Sequence, residues 1–339
     1  MSKQFRVVQV GFGPMGQLVV KLLLKRQNID LVGVIDIAEE FQEKKVNSIL
    51  KLKSESELVI TNELEPLLSK DIDVVIIATS SFFETIAPMI IDVVSKGVNV
   101  ISLCEQLSYP FIRLPELSKK IDKLAKKNNV TVVGSGINPG YLMDLLPIVL
   151  TAPSETVEKI TITRMMNSNK RRIPFQKKIG TGLTIEEFTR KITKKEITGH
   201  VGLEESMQMI DAALGLKLDE IIELPPIPKI ADKEFEGPTG KVPKGQVCGL
   251  HSRGIGKKDG EELLILEFVA FAGTHDEFDS IEIEGIPGIK QIIQGGVHGD
   301  IGTASMIVNL IPRIVQANPG LLTMKDLPVP CNTAKIWKE

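Results

Sequence analysis

Residues 5–10 form a short apolar run that stops at Gly11, and the turn after it reads Gly11-Phe12-Gly13-Pro14-Met15-Gly16. A GxGxxG turn by itself is common. Between a buried strand and the apolar helix expected over 18–24, it has a specific meaning. Gly11 permits the tight turn, Gly13 lets a pyrophosphate approach the backbone, and Gly16 lets helix and strand pack closely. The helix N-terminus offers unpaired N–H groups and a favourable dipole to an anion. Pro14 suits the first helical turn, because the N–H it lacks would be unpaired anyway. The six residues of the turn are therefore candidate contacts for a dinucleotide.

The pattern around the turn supports a parallel sheet. Further strands are expected over 31–35, 72–78, 98–103 and 130–134, and helices over 88–95 and 117–126. Strands that alternate with helices build βαβ units. Continuous Val/Ile runs suit strands covered on both faces. The fold class is α/β, a Rossmann doubly wound parallel sheet. Asp36, twenty residues after Gly16, stands where a carboxylate can bond the ribose hydroxyls of the adenosine half. It would repel a 2′-phosphate, and Glu39 and Glu40 add negative charge with no Arg nearby. NAD(H) is preferred, with NADP(H) left open.

Beyond Gly140 the pattern changes. Residues 157–166 read as a strand, and 184–192 as a helix with Thr184 and Glu187 as a capping box. Residues 203–214 form another helix. Stretches 245–253, 262–271 and 279–284 read as a mainly antiparallel sheet with one wet face. Pro225-Pro226-Ile227-Pro228 reads as a rigid connector. Residues 303–315 form a broad apolar helix, with Gly299-Asp300 as its cap and Asn318-Pro319-Gly320 as its stop. We expect a dinucleotide-binding domain over 1–140, completed by 299–339, and a second α+β domain over 141–298 for substrate binding and subunit contact.

At 339 residues, with a net charge of -2 and 42% hydrophobic residues, the chain has ordinary globular composition. Its longest basic run, Lys170-Arg171-Arg172, reads as a solvated loop, so nucleic acid is not an expected partner. The three cysteines, Cys104, Cys248 and Cys331, have neither disulfide-framework nor metal spacing, and the four histidines do not pair at metal spacing. The N-terminus lacks a leader pattern, and no apolar run has the length of a membrane span. The expected setting is cytoplasmic, without a membrane partner.

Ligands of open α/β sheets bind outside the carboxyl ends of the strands. That rule selects Ala78-Thr79-Ser80-Ser81 for the nicotinamide side, Cys104-Glu105-Gln106, and Gly136-Ile137-Asn138-Pro139-Gly140. Glu105 is the candidate acid/base, because apolar Leu103 and Leu107 flank it and partial desolvation raises a carboxyl pKa towards neutrality. The competing role is a structural glutamate at the next helix. Cys104 reads as a buried small residue. His200 lies between glycines before a helix, a place suited to substrate contact. His251 and Arg253 point to one face of a strand and together could hold a carboxylate. His275 and His298 read as structural or surface residues.

The glycine turn, Gly136–Gly140, Gly199-His200-Val201-Gly202 and the tail make the chain similar to the 2,4-diaminopentanoate dehydrogenases and the related native amine dehydrogenases. The tail is the most specific element: Gly299-Asp300-Ile301-Gly302-Thr303-Ala304, then Asn309, Ile311-Pro312-Arg313, and Pro319 to Pro328. The resemblance implies oxidative deamination of an amine to a ketone and ammonia with NAD(P), and the reverse reductive amination. It implies Glu105 as the proton carrier, and a homodimer through the sheet of the second domain. Asn138 (also a cofactor candidate), Arg164, Asn167, His200, His251 and Arg253 become the implied pocket. Sugar-type oxidoreductases place a Glu-Lys-Pro near this strand end, whereas this chain has Glu105-Gln106. The basic, His-rich segment of dihydrodipicolinate reductases is not recognisable. A cyclic-imine or carbonyl reductase of that type is the alternative enzyme, and a non-catalytic NAD-binding regulator the alternative of another class.

Overall fold

The computed structural model describes residues 4–52, 57–68 and 71–332. It divides into two compact units, Met1–Tyr141 with Asp300–Glu339, and Leu142–Gly299. The ends of the chain, 1–3 and 333–339, lie outside the described residues.

The first run of the first unit alternates strand and helix: β1 (Phe5–Val10), α1 (Pro14–Lys25), β2 (Ile29–Ile35), α2 (Val46–Leu50), β3 (Ile60–Thr61), β4 (Val74–Ile77), α3 (Phe83–Ser95), β5 (Asn99–Ser102), α4 (Pro115–Lys127) and β6 (Thr131–Gly134). α3 starts five residues before the expected 88–95. Pro88 looks like a helix start but lies inside, and the N–H of Phe83 is instead capped by the side-chain oxygen of Gln106 at 3.0 Å. Phe83, Ile86, Ala87, Ile90, Val93 and Val94 recur at helical spacing and are buried. α4 opens on Pro115 and buries the stripe Ser118, Ile121 and Ala125.

The second unit holds α5 (Leu145–Leu150), β7 (Thr156–Asn167), α6 (Ile173–Lys178), α7 (Ile185–Thr193), α8 (Leu203–Leu214), β8 (Glu220–Glu223), β9 (Ile227–Ile230), β10 (Phe235–Gly237), β11 (Gly240–Val242), β12 (Val247–Lys258), β13 (Glu261–Phe271), β14 (Phe278–Ile286) and β15 (Ile289–Gln294). The capping box of α7 is present, with Glu187 N–H donating to Thr184 Oγ1 and Thr184 N–H to Glu187 Oε2. The large sheet runs β15-β14-β7-β13-β12-β8, with β9 also on β12. All its pairs are antiparallel except β13 with β7. The expected proline connector is in fact partly β9, in which Pro228 pairs with Leu250 of β12. Proline is tolerated there because the strand lies at an edge and needs no donor on its outer side.

The chain then returns to the first unit as α9 (Gly299–Val315) and β16 (Gly320–Leu322). Gly299 and Asp300 belong to the helix rather than capping it. The first sheet is parallel throughout, in the order β16-β6-β5-β4-β1-β2-β3. Its core is Val- and Ile-rich, from Val8 and Val75 to Ile90 and Val132. The residues of the tail motif serve this unit. Arg26, buried at the end of α1, donates to Asn309 Oδ1 at 2.5 Å. Thr303 Oγ1 accepts the N–H of Ile137 at 3.3 Å, which ties the 136–140 loop to α9. Among the described residues, no helix is long and apolar enough to cross a membrane.

Candidate active site

A parallel sheet puts all its strand-end loops on one edge. The glycine turn after β1, Asp36 after β2, the 78–81 loop after β4, Glu105 after β5 and Asn138 after β6 therefore share that edge. The three glycines have different physical reasons. Gly11 has φ +91°, and a Cβ there would stand 2.6 Å from the carbonyl oxygen of Ala78. A Cβ on Gly16 would stand 1.9 Å from the carbonyl oxygen of Gly11. A Cβ on Gly13 would meet nothing within 4 Å, so that side of the turn is open. Gly13 is the N-cap of α1, with no side chain bonded across the helix end. The buried Gln9 lies beneath, its amide donating to the carbonyls of Val10 and Gly11 at 3.1 Å. Gln9 interrupts the buried valines Val7, Val8 and Val10, and that is the signal that could have singled it out.

Asp36 is bound into this turn. Its Oδ2 accepts the N–H of Phe12 and its Oδ1 the N–H of Ala38 at 2.9 Å. The Gln42 amide donates to the carbonyls of Asp36 and Ala38, and Phe41 meets the buried Phe12 edge-on at 5.4 Å. Two backbone donors hold the carboxylate in one orientation. The open Gly13, the unblocked N-terminus of α1 and this carboxylate fit a dinucleotide.

Glu105 opens the 3-10 turn Glu105–Leu107 and is half-buried. The turn is clamped from several sides. Gln106 N–H donates to the carbonyl of Ser81 at 3.3 Å, and Leu103 N–H to that of Ile77 at 3.0 Å. The Ser108 hydroxyl donates to the carbonyl of Glu105 at 2.7 Å. On the β6 side, a Cβ on Gly134 would stand 2.4 Å from the Leu107 carbonyl carbon, so only glycine allows this approach. Gln106 has its own work as the cap of α3. Cys104 is buried, as expected. The hydroxyl of Ser135 is buried without a hydrogen-bond partner just after β6, and the sequence offers no signal for it.

The implied pocket residues of the second unit divide between two faces of its sheet. Phe268 pairs with Arg164 on one side and with Ser252 on the other, so these three share a face. His200 stacks on Phe268, with ring centroids 4.0 Å apart, and joins them. His251 and Arg253 flank Ser252 and point to the opposite face. This corrects the single pocket that the resemblance implies. The carboxylate that they hold belongs to Glu267, which bonds His251 Nε2 and lies 3.1 Å from Arg253 Nε. Asn167 ties the end of β7 to the next turn, donating to the carbonyl of Thr274 at 3.1 Å and accepting from Asn169 N–H at 3.1 Å.

Arg164 is almost fully buried, at 2% exposure. Its Nη2 donates to the carbonyl of Val297 at 2.6 Å, and its Nε lies 3.6 Å from Asp279 Oδ1. Its Nε and Nη1 have no hydrogen-bond partner. Burial lowers its pKa to about 10, despite the attraction of Asp279 and with a further push from Arg171, so it stays charged at neutral pH. Burial likewise raises the pKa of Asp279, although Arg164 and the Val297 N–H draw it down. Each unsatisfied buried donor costs about 1–3 kcal/mol, which a ligand oxygen could recover. Burial holds His200 well below the ordinary histidine value, and Lys178, Arg164 and Arg171 add to this, so the ring is neutral. Arg171 is not in a solvated loop. It lies over the Phe175 ring at 4.2 Å and lines a cavity with Arg164.

A parallel sheet with a glycine turn, a carboxylate after its second strand and a glutamate after its fifth defines a nicotinamide dinucleotide-binding oxidoreductase. The comparisons with known proteins agree. Residues 5–135 match the oxidoreductase family with an NAD-binding Rossmann fold, and residues 141–338 match the 2,4-diaminopentanoate dehydrogenase C-terminal domain. The chain is 37% identical to the 2,4-diaminopentanoate dehydrogenase of Acetoanaerobium sticklandii, over 97% of this chain and 94% of that one. It therefore belongs to the 2,4-diaminopentanoate dehydrogenase family. Its fold is shared with an amine dehydrogenase from Mycobacterium smegmatis, at TM-score 0.84 and 22% identity over 96% of this chain and 97% of the other. A dihydrodipicolinate reductase from Paenisporosarcina sp. TG-14 is more distant, at TM-score 0.54 and 14% identity over 95% of this chain and 98% of that one.

Proposed function

We propose that this enzyme oxidatively deaminates 2,4-diaminopentanoate or a similar small amine to a ketone and ammonia, with Glu105 as the proton carrier and NAD(H) preferred over NADP(H). The observation that carries the reading is the position of Glu105 at the end of β5, where its 3-10 turn is bonded to the loop after β4. The bound dinucleotide supplies the hydride acceptor, C4 of its nicotinamide, for the hydrogen on the amine-bearing carbon. Hydride leaves a neutral amine far more readily than an ammonium, so the Glu105 carboxylate first takes a proton from the substrate nitrogen. Once that proton has passed to solvent, the same carboxylate takes one from the water that attacks the iminium carbon. Gly11 to Gly16 and the N-terminus of α1 would seat the pyrophosphate, and Asp36 the adenosine ribose. Ala78, Thr79, Ser80 and Asn138 would border the nicotinamide side. Arg164 and His200 are the substrate contacts that remain on one face, and Asn167, three residues on at the end of β7, is the contact proposed from the other.

His251 and Arg253, on the other face, belong to a surface that we assign to a homodimer. Ile227 and Ile292 are exposed on that face, at 61% and 46%. The free cysteines suit a reducing cytoplasm. The test follows NADH oxidation with small ketones, with and without ammonium. Turnover that requires ammonium is expected. Ketone reduction that ignores ammonium would favour a carbonyl reductase, and no turnover with any amine or ketone would favour an NAD-binding regulator.

A further inference from the structure

The start of the glycine turn is a succession of peptide planes, each held by a different set of partners. The Val10–Gly11 peptide gives its N–H to the Ile35 carbonyl at 2.8 Å, and its own carbonyl accepts the Ala78 N–H at 2.8 Å. The Gly11–Phe12 peptide gives its N–H to Asp36 Oδ2, and its carbonyl accepts the Gln9 amide at 3.1 Å. The carbonyl of the Phe12–Gly13 peptide accepts Gln17 Nε2 at 3.1 Å. Carbonyl and N–H point in opposite directions across a trans peptide. A Phe12 carbonyl turned towards Gln17 therefore turns the Gly13 N–H away from it, at the glycine where a Cβ would meet nothing within 4 Å.

Gln9 is a costly residue to place here. It is fully buried, and its Nε2 lies 3.5 Å from where a Cβ on Gly16 would stand, under the first turn of α1. Its Oε1 has no hydrogen-bond partner. A buried oxygen without a donor costs free energy that an apolar side chain of similar shape would avoid. The amide supplies two donors in return, to the carbonyls of Val10 and Gly11. The Val10 carbonyl also has the Ala78 N–H, so the Gly11 carbonyl gains most from Gln9. A carbonyl oxygen carries partial negative charge and repels a phosphate, whereas a row of N–H groups attracts one.

We propose that Gln9 and Gln17 are the positioning residues of the phosphate seat: their amides hold the Gly11 and Phe12 carbonyls inward, so that the turn meets the pyrophosphate with N–H groups. The Gly13 N–H then joins those of Met15 and Gly16, which belong to the first helical turn and have no intrahelical partner. The inference rests on the dinucleotide-binding reading and adds what sets the polarity of the turn. Neither glutamine touches the reacting atoms, so their effect is on cofactor binding and not on the chemical step.

Gln9→Met and Gln17→Met keep the length of the side chain and remove the donor, and methionine has nearly the helix propensity of glutamine. The probes are ADP and adenosine, each displacing NADH from the full-length protein in a fluorescence titration. ADP has base, ribose and both phosphates, and adenosine lacks the phosphates. Asp36 is bonded to the Phe12 N–H, so a general slackening of the turn would reach the ribose and weaken adenosine as well. Each variant should weaken ADP and NADH about three- to tenfold, the worth of one neutral hydrogen bond, and leave adenosine within about twofold. In turnover, KM for NAD⁺ should rise by the same factor while kcat stays within about twofold, as for lost uniform binding. Equal losses for ADP and adenosine would make the glutamines braces of the fold and overturn the proposal. If Gln9→Met does not fold, Gln17→Met, at a half-buried helix position, carries the same test alone. Wild-type protein that binds neither NADH nor ADP would overturn the dinucleotide reading itself. Wild-type protein that binds both, with ADP affinity unchanged in the variants, would overturn the glutamine assignment alone.

Discussion

At the edge of the parallel sheet, Gly11, Gly13 and Gly16 act through the side chains they lack, and the backbone itself is the binding surface. In the second unit, Arg164, Arg171, Glu277 and Asp279 act through charge gathered around one cavity. The first arrangement is strict about geometry and indifferent to charge pairing. The second tolerates small shifts but must balance its charges. Substitutions should therefore fail differently in the two regions: by collision or lost approach in one, and by unpaired charge or lost recognition in the other.

The largest effect is expected where both requirements meet. Glu105→Gln keeps shape and removes the proton acceptor, so turnover should fall by about 10²- to 10⁴-fold while NADH affinity measured by fluorescence stays within about twofold. A near-normal rate would make Glu105 a structural residue of the 3-10 turn. Next come the glycines. Gly16→Ala forces a methyl group onto the Gly11 carbonyl and should cost about 1–3 kcal/mol in denaturant unfolding, as overpacking does. Gly13→Ala meets no atom, so it should leave unfolding unchanged and weaken NADH instead. If both variants lose only stability, no phosphate approaches this turn.

Asp36→Ala should raise KM for NADH about tenfold, a charged hydrogen bond's worth, and affect NADPH less. Because Asp36 also braces Phe12 and Ala38, an equal loss for both cofactors would make it a brace alone. On the opposite face of the second sheet, Glu267→Gln removes the shared partner of His251 and Arg253. It should cost about 0.5–1 kcal/mol of stability, as partly exposed pairs do, and leave kcat/KM alone. A rise in KM would put those residues back on the substrate.

The smallest effect is a pH dependence. The pKa of His200 is depressed in the folded state, so below the ordinary histidine value the unfolded chain takes up a proton that the folded one refuses. Stability should fall as pH drops from 7 to 5. His200→Gln should flatten that part of the curve, read as melting temperature against pH. An unchanged slope would show that His200 protonates freely in the folded protein.

The sequence makes the first region legible because its logic is local. The glycine turn, the helix after it and Asp36 lie within a few dozen residues, and Glu105 follows from strand counting. What supports them is less visible. Gln9 is a buried amide set among valines, and Gln106 stands out only for the lysine it replaces, although it caps α3. In the second unit, the tie of Arg164 to Asp279 and Val297 joins distant parts of the chain. Whether His251 shares a face with Arg164 depends on the register of three strands, which no spacing motif records. Pro88 and Pro228 mislead for a related reason: tertiary packing keeps a proline inside a helix and an edge strand, where local preference places a boundary.

The central claim, that the protein removes an amine by transferring its hydride, is tested most directly by stoichiometry. Incubation with 2,4-diaminopentanoate and NAD⁺ should release one ammonium for each NADH formed, with an equal amount of ketone. NADH formed without ammonium, or ammonium released without NADH, would contradict the account.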